Sequence, residues 1–324
     1  VVISVTPALP PAGTFAIEFV DVDGVAPPAD VQAALDRARA RWQRVIRGEL
    51  PDVDFSAAPA PADVCFAGQP AFDDLVDDVR IYIDIAPIDG PGGSIGRAGP
   101  CFIRDGDGTV VVGRMSFDSE DLADLAPSEL DALILHEMAH VFGFGTLWDD
   151  EGRDLLSDPS CPGGACSAAD PPGPDTRYRG SFGRQAWRAY GGAKSDGGPP
   201  VENGDTPSGL LAGAGTRDSH WREGVLGDEL MTGFLDFDGN PLSYLTLAAL
   251  EDLGYRRIDY READAWQVPA LAPQAAAVRG ESGPAFGGSR PGGRGLRLHD
   301  DVWVAPIRVV GEDGDVVRVL EPGR

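Results

Sequence analysis

Between Thr14 and Gly24 the stretch TFAIEFVDVDG alternates apolar and polar positions and ends in a turn, which predicts a strand. The period then changes. Val31, Leu35, Ala38, Trp42, Val45 and Ile46 share one helical stripe, with Pro27, Pro28 and Asp30 at its start and Gly48 at its end. Asp78–Gly90 (DVRIYIDIAPIDG) predicts a second strand. Pro100–Asp118 (PCFIRDGDGTVVVGRMSFD) predicts two more around the turn DGDG.

The stretch APSELDALILHEMAHVFGF predicts the next helix. Ser128 with Asp131 fits the S-x-x-[DE] capping box, and Gly143 fits the residue just past the helix end. Leu130, Leu133, Ile134, Met138, Val141 and Phe142 make it apolar on most sides, which predicts burial. From about Trp148 to Thr216 the chain is dense in Gly, Pro, Asp and Ser, with apolar islands such as FGRQAWRAYGG. It reads as a loop-rich insertion. Ser243–Tyr255 (SYLTLAALEDLGY) is a further capped helix ending at Gly254. Residues 263–293 read as a Pro/Gly-rich linker, and 294–324 as a β segment with a turn at GEDGD. That segment either forms a hairpin on the main body or belongs to a following domain.

Composition narrows the function. The 324 residues carry 52 acidic against 27 basic side chains, a net charge of −25, which argues against nucleic acid or an anionic membrane as partner. Lys194 is the single lysine. The abundance of Ala, Gly and Pro fits a GC-rich coding sequence, with adaptation to high salt as the other source of the acidity. No apolar run reaches the roughly 18 residues of a membrane span. The first residues, VVISVTPALPPAG, lack the pattern of a signal peptide, so a processed or trimmed chain is expected. Four cysteines in an acidic, Pro/Gly-rich chain suit two disulfides in an exported protein. Cys161 and Cys166 flank the turn-forming PGGA, which leaves Cys65 with Cys101. Three connectivities remain formally open.

The chemistry centres on His136, Glu137 and His140, which form H-E-x-x-H. Residues four apart lie on one helix face, so both imidazoles can reach one ion. Zinc in a catalytic site takes three protein ligands, leaves one position open, and lowers the pKa of the water it binds towards about 7. Glu137 would accept that water's proton as it attacks a carbonyl and return it to the leaving amine. The longer form, H-E-x-x-H-x-x-G-x-x-H, keeps its glycine at Gly143 but has Thr146 in place of the last histidine. Candidates for a third ligand are His220, His299, and the acidic run Asp149, Asp150 and Glu151.

HEMAHVFGFGTLW together with SHWREGVLGDELMTG resembles the leishmanolysin family of metzincin peptidases. In that family an insertion separates the glycine from the third histidine, which precedes an E-L-M segment. By position, the resemblance implies His136, His140 and His220 as zinc ligands, Glu137 as general base and Met231 as the Met-turn methionine. It covers roughly 127–148 and 201–255, and more loosely 15–118. It implies an α+β metzincin-like fold, with an N-terminal twisted sheet, a backing helix and the active-site helix. A loop-rich C-terminal subdomain would follow, with the cleft between. The expected catalytic domain is 1–262, with subdomains at about 14–146 and 147–262. Position 233 is glycine, so the tyrosine some metzincins carry after the Met-turn is absent, and oxyanion stabilisation would fall to zinc and backbone groups.

The resemblance further implies an extended substrate on an edge strand, for which Thr109–Asp118 is the candidate. Phe234, Leu235 and Phe237 are candidates for an apolar pocket wall. Asp236, Asp238 and Asn240 are the best candidates for a calcium site, although Asp-Gly pairs also serve as ordinary turns. The expected protein is a secreted, monomeric zinc endopeptidase acting on proteins or peptides. Two alternatives stand beside it: a non-proteolytic zinc-containing surface or adhesion module, and a zinc hydrolase with an acidic third ligand.

Overall fold

The computed structural model describes residues 14–149, 153–160, 172–204, 216–237, 239–271, 296–298, 302, 303 and 305–321. Strand β1 (Ile17–Asp21) leads into helix α1 (Ala29–Val45). Two short strands, β2 (Val53–Asp54) and β3 (Leu75–Val76), pair with each other. Then come β4 (Val79–Ala86), β5 (Gly96–Arg104) and β6 (Val110–Asp118). Helix α2 (Pro127–Val141) carries the H-E-x-x-H motif.

The following segment holds the paired strands β7 (Leu156–Ser157) and β8 (Arg177–Tyr178), then helix α3 (Ser181–Ala189). Helix α4 (Glu223–Leu226), strand β9 (Phe234–Leu235) and helix α5 (Tyr244–Asp252) come next. Strand β10 (Leu296–Arg297) pairs with β9, and β11 (Ile307–Val310) and β12 (Val316–Leu320) form a hairpin. The result is an α+β architecture.

The main sheet runs β1-β4-β6-β5-β11-β12. Strands β1, β4 and β6 are parallel, β5 is antiparallel to β6, and β11 runs parallel to β5. Side chains alternate across it. Val79, Ile81 and Ile83 of β4 face the large core beneath α1 and α2, while Tyr82 faces a second core with Phe55, Phe66, Phe72 and Phe102. Cys65 and Cys101 form a disulfide on that second face, with a Cα–Cα distance of 5.6 Å. Cys161 and Cys166 lie outside the described residues.

Three sequence readings change here. The substrate-edge candidate, Thr109–Asp118, forms β6 in the interior of the sheet, with β4 on one side and β5 on the other. Strand order depends on pairing between distant segments, which periodicity does not encode. The capping box also sits elsewhere. Pro127 takes the first helical position, where its missing N–H costs nothing. Glu129 then reaches back to accept the Ala126 N–H at 2.6 Å, and Asp131 instead pairs with Arg37 of α1 at 3.0 Å. Finally, the segment read as loop contains α3. The Asp252 carboxylate accepts the N–H groups of Phe182 and Gly183 at its start, an arrangement favoured by the helix dipole.

Close approach places α2. A Cβ on Gly113 of β6 would fall 2.5 Å from Val141 Cγ1, so the glycine lets the helix settle on the sheet. The Trp42 indole N–H donates to Leu135 O at 3.2 Å and ties α1 alongside.

Candidate metal centre

Helix α2 ends in a Schellman motif. Gly143, with φ +97°, donates its N–H to His140 O, and Phe144 donates to Ala139 O at 3.0 Å. This turn aims a ring as well as ending a helix, because the Phe144 carbonyl, delivered by the turn, accepts from His140 Nδ1 at 2.8 Å. Thr146, where the short motif would have its third histidine, donates its hydroxyl to His140 O at 2.9 Å. It satisfies one of the last helical carbonyls.

His220 arrives from 80 residues further on. Its backbone is tied to two neighbouring segments: Glu202 donates to His220 O, and Trp221 donates to Met231 O, both at 2.9 Å. Phe144, Trp148, Tyr178 and Trp221 pack against one another in edge-to-face and tilted pairs, with centroids 4.5–5.4 Å apart.

The three imidazoles are fully buried and converge. Their Nε2 atoms lie 2.9 Å (His136–His140), 3.0 Å (His140–His220) and 3.2 Å (His220–His136) apart. Each Nδ1 points at a backbone carbonyl: Leu230 O at 2.7 Å for His136, Phe144 O at 2.8 Å for His140 and Thr216 O at 3.2 Å for His220. Ser219 Oγ also lies 2.9 Å from His220 Nδ1. A carbonyl only accepts, so each Nδ1 holds its ring's proton and each Nε2 presents a lone pair. Three lone pairs aimed at one point repel unless a cation sits among them. Tetrahedral zinc with Zn–N bonds of about 2.0–2.1 Å spaces its nitrogens by roughly 3.3 Å. Donor chemistry, spacing and the carbonyls that orient the rings therefore all fit a zinc ion.

Glu137 is fully buried beside the cluster. Its carboxylate lies against Gly96 of β5, where a Cβ would come within 2.9 Å of Oε1. Met231 is buried one residue after the carbonyl that holds His136. Gly96, and the glycine at 145 that admits the His220 segment, are residues sequence reasoning missed. Nothing in a local pattern marks a glycine whose space is filled by a distant segment.

Of the remaining candidates, those among the described residues do not join the cluster. Asp149 stands outside the three-histidine cluster; Asp150, Glu151 and His299 lie outside the described residues. Leu235 is core, whereas Phe237 is 49% exposed. Asn240 accepts the Asp236 N–H and donates to Phe234 O, closing a turn, and Asp238 lies outside the described residues.

These residues define a candidate mononuclear metal centre: two histidines one helical turn apart, a third from a later segment, and a glutamate between the first two. The family model of leishmanolysin, a peptidase family, matches residues 210–271, the segment that carries His220, Met231 and α5. Over that segment the chain is similar to leishmanolysin. No curated protein matches significantly.

Proposed function

We propose that the chain is a zinc-dependent endopeptidase of the metzincin type, cleaving protein or peptide substrates. The observation that carries this is the convergence of three lone-pair-bearing Nε2 atoms beside a buried glutamate. The leishmanolysin match over 210–271 supports the peptidase class.

In this reading His136, His140 and His220 hold the metal. Zinc, when bound, supplies a Lewis acid that polarises the scissile carbonyl and acidifies water. Glu137 takes the proton from the attacking water and delivers it to the leaving amine nitrogen. Burial keeps that carboxylate in a low-dielectric setting, where its charge acts strongly on a nearby proton. Gly96 leaves the space in which it sits. Leu230, Phe144 and Thr216 keep the three rings in the metal-binding tautomer.

The Cys65–Cys101 disulfide fits an oxidising, extracellular setting. Among the described residues, no helix is long and apolar enough to cross a membrane. The test is Glu137→Gln, assayed on a casein-type substrate with zinc content measured in the same preparation. Retained stoichiometric zinc with cleavage lost by 100-fold or more, the scale of a general base, supports the reading. Equal activity in both proteins contradicts it.

A further inference from the structure

Glu229 stands two residues before Met231 and is 0% exposed. A carboxylate removed from water must find donors elsewhere. This one has four. Oε2 accepts the Met231 N–H at 2.6 Å. Oε1 accepts the Ser243 N–H at 3.2 Å and the hydroxyls of Ser243 and Thr246, each at 2.5 Å.

The direction of those hydroxyl bonds follows from their other partners. Ser243 Oγ already accepts the N–H groups of Leu245 and Thr246, capping α5. Thr246 Oγ1 already accepts the Trp221 indole N–H at 2.9 Å. Both hydroxyl protons therefore turn to Glu229. Each of these four partners donates to the carboxylate. Burial pushes its carboxyl up from the usual range, and these donors oppose that.

Two arms leave this carboxylate, and each ends at a histidine. Through Met231 N–H it fixes the turn in which Leu230 offers its carbonyl to His136 Nδ1. Through Thr246 it fixes the Trp221 indole, and Trp221 follows His220 directly. The arms meet again where the Trp221 N–H donates to Met231 O. Glu229, Met231, Trp221 and Thr246 thus form a closed ring of hydrogen bonds, with His136 and His220 attached to it at separate points.

We propose that Glu229 is a positioning residue for the metal centre: its carboxylate closes the ring that holds His136 and His220 at a common point. The proposal rests on the reading of the three histidines as zinc ligands. A carboxylate suits the task because one oxygen gathers three donors while the other takes a fourth. Glutamine offers one accepting oxygen and turns an NH2 towards donors on the other side.

The experiment measures zinc affinity by chelator competition, the visible spectrum of the cobalt-substituted protein, and the melting temperature of the metal-free protein. The full-chain variants are Glu229→Gln, Thr246→Val, His220→Ala, and His220→Ala with Thr246→Val. Glu229→Gln should weaken zinc binding about tenfold or more and alter the cobalt spectrum, as loss of an orienting partner does. Thr246→Val should weaken zinc binding in the wild-type background and add nothing to His220→Ala, because its arm acts through His220. If Glu229→Gln does not fold, the Thr246 cycle decides alone. A lower melting temperature with unchanged zinc affinity and cobalt spectrum would reduce Glu229 to a structural brace and overturn the proposal. A wild-type chain without stoichiometric zinc would remove the metal reading itself, and the proposal with it.

Discussion

A Cβ placed on Gly145 would fall 2.0 Å from the carbonyl oxygen of Ser219. The chain leaving α2 and the chain bringing in His220 thus touch backbone to backbone. Gly145 also has φ +72°, a conformation costly for any residue with a Cβ. Gly145→Ala should cost about 2 kcal/mol or more of stability and push His220 away from its partners. Chelator competition should show weaker zinc binding. Unchanged affinity would mean the Ser219 backbone gives way without moving His220.

Gly96 bears on the other half of the chemistry. Alanine there would press on Glu137 Oε1 at 2.9 Å while leaving all three histidines untouched. Gly96→Ala should retain zinc and lower kcat, on the order of 10–100-fold for a displacement approaching 1 Å. KM should change less. Single-variant kinetics with parallel metal analysis checks this, and a fall in zinc content would assign the effect to the fold instead.

Stability should depend on pH through Glu223. Burial, with Asp236, Glu202 and Asp228 nearby, pushes its carboxyl up to about 8 from 4.5, and Oε2 meets no donor among the described residues. The folded state then holds a proton that the unfolded state has released between pH 4.5 and 8. Stability from this group is full below about 4.5 and falls as pH rises to about 8. Glu223→Gln should flatten that part of the profile and raise the melting temperature most above pH 8. Melting curves of the metal-free proteins across pH 5–9 separate this from proton competition for the metal.

The disulfide should matter for stability more than for chemistry. Cys65 and Cys101 close a loop with a sequence separation of 36. A loop of that length contributes about 3–4 kcal/mol in the chain-entropy account. Reduction, or Cys65→Ala with Cys101→Ala, should lower the melting temperature and leave zinc affinity nearly unchanged. Cys101 faces the second core, away from the helix that bears the histidines.

The local parts of the candidate site were legible because they depend on spacing alone. His136 and His140 share a helix face by their separation of four, and Gly143 announces a helix end by its freedom at positive φ. His220 came instead from resemblance, since no local pattern singles out a histidine 80 residues away. The misread elements have different causes. Ser128 and Asp131 fit a capping pattern, but Pro127 takes the first helical position and moves the N-cap two residues earlier, to Ala126. The stretch 109–118 reads as any β-strand would. Its hairpin partner β5 covers one side, and only the parallel pairing with the more distant β4 on the other makes it interior. Gly96, Gly145 and Glu229 are likewise defined by what packs against them, and so are invisible to periodicity.

The most direct test of the central claim is a zinc-edge anomalous diffraction map of the zinc-loaded protein. One peak is expected about 2.0–2.1 Å from Nε2 of His136, His140 and His220. A map with no peak there, or with zinc held by carboxylates and His220 turned away, would contradict that claim.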